Sequence, residues 1–102
     1  MSENPESPSH EEEVEALRAR LEQADPADII ANHAYGLFEL AAVYLSATPP
    51  KLDSAQVAID ALTGLLGSVD GRLGEADAPL KEGLAQIRLA WVQVGAARGS
   101  EN

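Results

Sequence analysis

Two residues of the 102-residue chain could do acid–base or metal chemistry from one predicted helix, His33 and Glu39. They lie in the stretch ANHAYGLFELAAVYLSA, residues 31–47, in which Glu39 is the only formal charge. At about 100° per residue the two side chains point to different faces of a helix, whereas paired ligands on a helix converge at a spacing of four residues. We therefore interpret both as structural residues. A ligand-binding or catalytic site that uses His33 and Glu39 is kept as an alternative hypothesis.

The remaining residues offer little that could hold a cofactor. Cysteine is absent, which excludes disulfides, thiol catalysis and cysteine-bound zinc. The glycines that follow residue 63 lack the preceding strand and the following Lys-Ser/Thr of a phosphate-binding loop, so we read them as helix-ending and turn residues. We expect no enzymatic activity, no metal and no cofactor.

The charge balance limits the partners. The chain has 17 acidic and 7 basic side chains and a formal net charge of −10. Such a surface repels phosphate backbones, so we expect no direct nucleic-acid binding. Residues 31–47 are too short and too polar for a membrane-spanning helix, which needs about 20 apolar residues. The start MSENPESPS shows no export signal, and we predict a cytoplasmic protein without a membrane segment.

The organisation predicted along the chain begins with a disordered acidic tail, residues 1–9. Ser9 and Glu12 have the spacing of a capping box, which starts a helix over residues 10–24. Its apolar residues Val14, Leu17 and Leu21 form one narrow stripe, so we expect this helix to be amphipathic and loosely attached. A helical core domain follows over residues 25–97, and residues 98–102 are expected to fray.

Three helices are predicted within the core domain. Asp25 and Pro26 provide an N-cap and a first helical residue for a helix that ends near Ala47, before two prolines. Asp53 and Gln56 suggest a second capping box, and a helix over 54–68 follows. The last helix covers residues 75–97. We predict an all-α fold: a three-helix antiparallel up-down-up core with an additional N-terminal amphipathic helix.

The second and third helices have apolar side chains on more faces than one core can cover. We therefore predict a homo-oligomer, a dimer or larger, that forms through these two helices. The residues predicted to lie in its interface are Leu37, Phe38, Leu45, Val57 and Leu65.

Three stretches give the chain a resemblance to a known family. These are DPADIIANHAYGLFELAAVYL, QVAIDALTGLL and GRLGEADAPLKEGLAQIRLAWVQV, within residues 25–94. Here the chain resembles a bacterial family of small domains of unknown function, number 1844 in the usual naming, in its high-GC Gram-positive branch. The family has no assigned catalytic residues, so the resemblance carries none over to this sequence. Because some relatives are encoded near translation genes, the resemblance also implies a link to translation.

These observations together predict a non-enzymatic helical protein-interaction module that self-associates through its second and third helices. One alternative is an accessory or regulatory factor of translation that binds a basic protein partner through the acidic N-terminal helix, at residues 11–15. The other alternative is the small-ligand binder or enzyme that uses His33 and Glu39.

Overall fold

The computed structural model describes residues 9–99, and these residues form helices and turns without any strand. The four α-helices are α1 (His10–Gln23), α2 (Pro26–Ser46), α3 (Leu52–Ser68) and α4 (Asp77–Gly99), and a short 3₁₀ helix covers Gly74–Ala76. The predicted all-α class is confirmed. The predicted disordered tail, apart from Ser9, lies outside the described residues, as do residues 100–102. α4 continues to Gly99, two residues beyond the predicted end of the core domain.

The first two helices begin where the capping residues predict. The Ser9 side chain accepts a hydrogen bond from the backbone N–H of Glu12 at 3.1 Å. The Asp25 carboxylate accepts one from the N–H of Ala27 at 3.0 Å, and Pro26 is the first residue of α2. Both caps satisfy backbone donors that have no partner within the helix. Only Ala24 and Asp25 separate α1 from α2, and both residues have extended backbone angles.

The predicted start of α3 at Ser54 is wrong. The helix begins at Leu52, so Asp53 lies in its first turn and is not an N-cap. The first turn of α3 contacts α4. The indole Nε1 of Trp91 donates a hydrogen bond to the carbonyl oxygen of Leu52 at 2.9 Å. A Cβ added at Gly95 would lie 3.8 Å from the Leu52 side chain, so this end of α3 packs against α4.

The connection between α3 and α4 is a glycine turn fixed by polar contacts. Gly71 and Gly74 have φ angles of +76° and +60°, a region that side chains with a Cβ rarely adopt. Lys81 donates to Asp70 in the turn and lies 3.0 Å from Asp77 one helical turn earlier. The 3₁₀ helix over Gly74–Ala76 occupies the residues in which a longer α4 was predicted, so α4 begins at Asp77 and not at residue 75.

Each of α2, α3 and α4 contacts the other two, whereas α1 contacts none of them within the described residues. The residues buried between the three helices form one cluster. In α4 they are the large residues Leu80, Leu84 and Ile87. α1 has no buried residue. The bundle therefore contains the whole core of the described chain.

The turn glycines provide a matched pair of substitutions. Gly71→Ala should lower the free energy of unfolding by about 1 to 2 kcal/mol, because alanine is strained at a positive φ. Gly67→Ala should raise it by up to about 1 kcal/mol, since Gly67 is in α3 with open space around its Cβ position. Urea denaturation of both variants at one protein concentration measures the difference. A loss of stability in the Gly67 variant equal to that in the Gly71 variant would contradict this account of the turn.

The contact between Lys81 of α4 and Asp70 in the turn predicts a pH effect. The hydrogen bond and positive charge of Lys81 hold the pKa of Asp70 below its ordinary value of 3.8. A carboxylate with a lowered pKa in the folded state stabilises that state above the ordinary pKa, and this stabilisation is lost as the pH falls through the folded-state pKa. Lys81→Met should therefore raise the pKa of Asp70 toward 3.8, as followed by carbon NMR of its carboxyl group. The other lysine gives the control, since Lys51→Met should leave the Asp70 titration unchanged.

Candidate interaction surface

Small residues form much of the inner surface of α2 and α3. Three of the four buried residues of α2 are alanines, Ala31, Ala34 and Ala41. In α3, Ala55 and Ala58 are buried beside three large residues. Alanines allow two helix backbones to approach closely, but each fills little volume in the core. The large side chains of this helix pair are thus divided between the core and the outside.

Several of these large apolar side chains face away from the core. Val57 in α3 is 70% exposed, and Val43 and Leu40 in α2 are 62% and 41% exposed. Leu89 and Val92 are also exposed on α4. Leu40 and Val43 are three residues apart and lie on one face of α2, together with the exposed His33 about two turns before Leu40. The C-terminal half of α2 therefore has an exposed apolar pair in addition to the face that packs in the bundle.

Contacts with α4 show which side of α2 each residue occupies. The ring of Phe38 lies 3.3 Å from the position of a Cβ added at Gly83 in α4. Tyr35 and Phe38 also line a shallow depression together with Pro79 and Gly83. Leu40 is two residues beyond Phe38 and thus about 160° away around the helix. It lies on the side of α2 that is remote from α4.

The same reasoning places Val57 on α3. Thr63 accepts a hydrogen bond from Arg88 of α4 at 2.8 Å, which marks the side of α3 that faces α4. Val57 is six residues before Thr63, about 120° away around the helix, and two residues after the fully buried Ala55, so it points away from the core. Leu40 is about 9 Å before the end of α2, and Val57 is about 8 Å after the start of α3. The two residues therefore lie at similar heights, and we call Leu40, Val43 and Val57 the outer patch.

The five residues predicted to form an interface occupy three kinds of position. Val57 is in the outer patch. Leu37, Phe38 and Leu65 are half-buried and pack against the core of their own chain. Leu45 is only 9% exposed and belongs to that core, so its own chain already covers it. Leu40 and Val43 were not predicted, although their spacing of three residues is visible in the sequence.

His33 and Glu39 are both exposed, and no hydrogen bond or ion pair joins them. Nδ1 of His33 lies 2.9 Å from the carbonyl oxygen of Ile29, one turn earlier in α2. This contact is local to the helix and orients no group toward Glu39. Between Ser9 and Gly99, no group of three or more His, Asp or Glu side chains has the arrangement of a metal site. The structure thus brings no second chemical group to either residue.

Acidic residues surround the outer patch. α2 carries Asp28 and Glu39, and α3 carries Asp53 and Asp60, all of them exposed. Lys51, between the two helices, is the only Lys or Arg in residues 26–68. The apolar residues are therefore set in a negatively charged helix pair, whose repulsion toward another acidic surface is screened by salt.

Within the described range, none of the helices combines the length and apolar character needed to cross a membrane. Comparison with protein-family models, curated proteins and solved structures gives no match to this chain.

The positions of His33 and Glu39 lead to a prediction about ligands. His33→Gln and Glu39→Gln should each change the free energy of unfolding by less than about 0.5 kcal/mol, because both side chains are exposed and make no long-range contact. Zinc ions should leave the melting temperature of the unsubstituted protein unchanged. A zinc-dependent rise in melting temperature that disappears in the His33 variant would contradict the structural interpretation.

Proposed function

We propose that the chain is a non-enzymatic helical protein-interaction module. In this proposal α2, α3 and α4 form an antiparallel up-down-up core, which self-associates through the outer patch. The observation that carries the proposal is the position of Leu40, Val43 and Val57 outside a helix pair that buries alanines inside. Large apolar side chains that stay exposed on two helices packed against each other are typical of a protein-binding surface.

A second copy of the chain is the partner that fits this surface. A symmetric dimer uses the same patch on both subunits, so each apolar residue of the patch is buried in both copies. Fully burying one Leu or Val side chain contributes about 1.5 to 3 kcal/mol. Leu40, Val43 and Val57 are 41%, 62% and 70% exposed in the single chain, so each contributes only the corresponding part of that value. Six such side chains can offset the several kcal/mol of translational and rotational freedom that association costs. Leu37 and Tyr44, three residues before and four residues after Leu40 on α2, are half-buried and extend the apolar area beside it.

The negative charge of the α2–α3 helix pair makes self-association depend on the salt concentration. The helix pair that meets its copy carries Asp28, Glu39, Asp53 and Asp60 against Lys51 alone. The two copies therefore repel each other at low ionic strength, while the contact itself is apolar. Added salt screens the repulsion, so the dimer should become tighter as sodium chloride is raised.

The exposed acidic residues of α1 favour a second candidate function, the binding of a basic protein partner linked to translation. Glu11, Glu12, Glu13 and Glu15 are exposed, and none of them forms an ion pair within residues 9–99. Attraction between these carboxylates and a basic surface weakens as salt is added. The two candidates thus predict salt effects of opposite sign on the complex that each of them forms.

Substitutions in the outer patch test the proposed self-association. Leu40→Glu and Val57→Glu should each convert the dimer to a monomer, because a carboxylate would be buried in an apolar contact beside other acidic residues. Both residues are exposed in the single chain, so circular dichroism should show unchanged helix content. Gln93→Glu adds the same charge on the exposed face of α4 and should leave the dimer intact.

Light scattering at micromolar concentration gives the mass of each species, with 10.7 kDa expected for one chain. If the unsubstituted protein has that mass and melts independently of concentration, the proposal is wrong. A dimer that persists in both patch variants would show that the contact lies elsewhere on the chain.

A further inference from the structure

α1 presents an apolar stripe that no other described helix covers. Val14, Leu17 and Leu21 are 44%, 53% and 51% exposed, and α1 contacts none of the other helices. The residues are spaced by three and four, and Ala24 follows after three more. This spacing is the a and d pattern of a two-stranded coiled coil, with Val14 and Leu21 at a and Leu17 at d. A β-branched residue at a with Leu at d favours two parallel strands.

We propose that this stripe pairs with the same stripe of a second copy of the chain, in a parallel two-helix coil. The charges that flank the stripe support this partner. In a parallel coil each g position faces the e position five residues later on the partner helix. Glu13 at g then meets Arg18 of the second copy, and the reciprocal pair forms on the other side. Arg20 at the next g position has no e-position partner in the coil, because α1 ends at Gln23.

The other acidic residues of α1 do not oppose the pairing. Glu12, Glu15 and Glu22 occupy the f and b positions, which point away from the partner helix. They lie on the solvent side, where salt screens their repulsion. Glu11 is at an e position, and the g position that would face it precedes the first residue of the helix.

The exposed stripe of α4 is a weaker partner for α1. It consists of Ala85, Leu89, Val92 and Ala96, and two of these four are alanines. On one edge it is flanked by Gln86, Gln93 and the acidic Glu82. On the other edge Lys81 is engaged by Asp70 and Asp77, and Arg88 donates to Thr63. The edges of this stripe could therefore offer Glu82 to Arg18, but they offer no unengaged basic residue to Glu13.

The inferred coil is short, and its formation therefore rests on the dimer described by the proposed function. α1 has 14 residues, two heptads, and helices of this length are marginal by themselves. A dimer held through the outer patch raises the effective concentration of the two α1 helices, because only two residues join α1 to α2. A single two-fold axis can relate both contacts.

Disulfide cross-linking tests the pairing, because the chain has no cysteine of its own. In a parallel coil residue 21 of one copy lies opposite residue 21 of the other, within the reach of a disulfide. Leu21→Cys in a glutathione buffer should therefore cross-link into dimers at least roughly tenfold faster than the control Glu22→Cys, whose position faces outward. Equal rates for the two variants would overturn the inference.

Charge exchange tests the orientation within the same cysteine variant. Glu13→Arg and Arg18→Glu should each slow the cross-linking, because like charges then face each other at the g and e positions. An equimolar mixture of the two should restore it, since the arginine introduced in one chain would meet the glutamate introduced in the other. A mixture that reacts no faster than its components would contradict parallel pairing.

Nitroxide labels provide a test that keeps Leu21 in place. Labels attached to Ala19→Cys should give one narrow distribution of distances between the two copies. A broad distribution would also overturn the inference.

Light scattering of the same samples separates the two proposals. A two-chain mass without selective cross-linking at position 21 would overturn the α1 pairing and leave association through the outer patch intact. A one-chain mass would overturn both. Position 21 could also cross-link selectively in the Val57→Glu variant while the mass of that sample stays at two chains. This result would support the α1 pairing and overturn its dependence on the outer patch.

Discussion

The packing of α2 against α3 and α4 through buried alanines is the constraint from which the other surfaces of the molecule follow. Ala34, Ala41 and Ala55 are completely inaccessible, and Ala31 and Ala58 nearly so. Small residues bring the helices close together and leave a thin core, because each alanine removes little apolar area from water. A helix pair built in this way cannot place all its large side chains inside. Leu40, Val43 and Val57 therefore remain on the outer face of the bundle.

Charge and apolar area act in opposite directions on this outer face. The net charge of −10 keeps the molecules apart at long range, while the outer patch is attractive only at contact. Under the proposed function, this combination makes association sensitive to ionic strength and limits it to partners that match the patch closely. α1 shows the same combination on a smaller scale, with carboxylates on its outward face and an apolar stripe between charged edges.

Local sequence signals predicted the helix starts that depend on local contacts. Ser9 and Asp25 bond to N–H groups two or three residues away, so their role is visible from spacing alone. The start of α3 was predicted too late because the Asp53 spacing suggests a side-chain cap, whereas the N-cap is Lys51, which makes no side-chain cap bond. The connection before α4 was also predicted too short, because a 3₁₀ helix over Gly74–Ala76 occupies residues that were assigned to α4.

The candidate surface was predicted at the level of helices but not of residues. An excess of apolar side chains on the second and third helices indicated an additional contact, yet hydrophobicity alone does not say which face points inward. The predicted interface therefore includes Leu45, which the core covers, and leaves out Leu40, which is exposed. The buried alanines of α2 mark its inner face and place Leu40 outside it.

Isotope-filtered NMR tests the central claim, that a second copy covers the outer patch, most directly. A sample that mixes labelled and unlabelled chains reports only contacts between copies. The account predicts intermolecular nuclear Overhauser effects between the methyl groups of Leu40, Val43 and Val57 and those of the same residues in the partner. Intermolecular effects confined to Leu89 and Val92 of α4, or a complete absence of such effects at millimolar concentration, would contradict it.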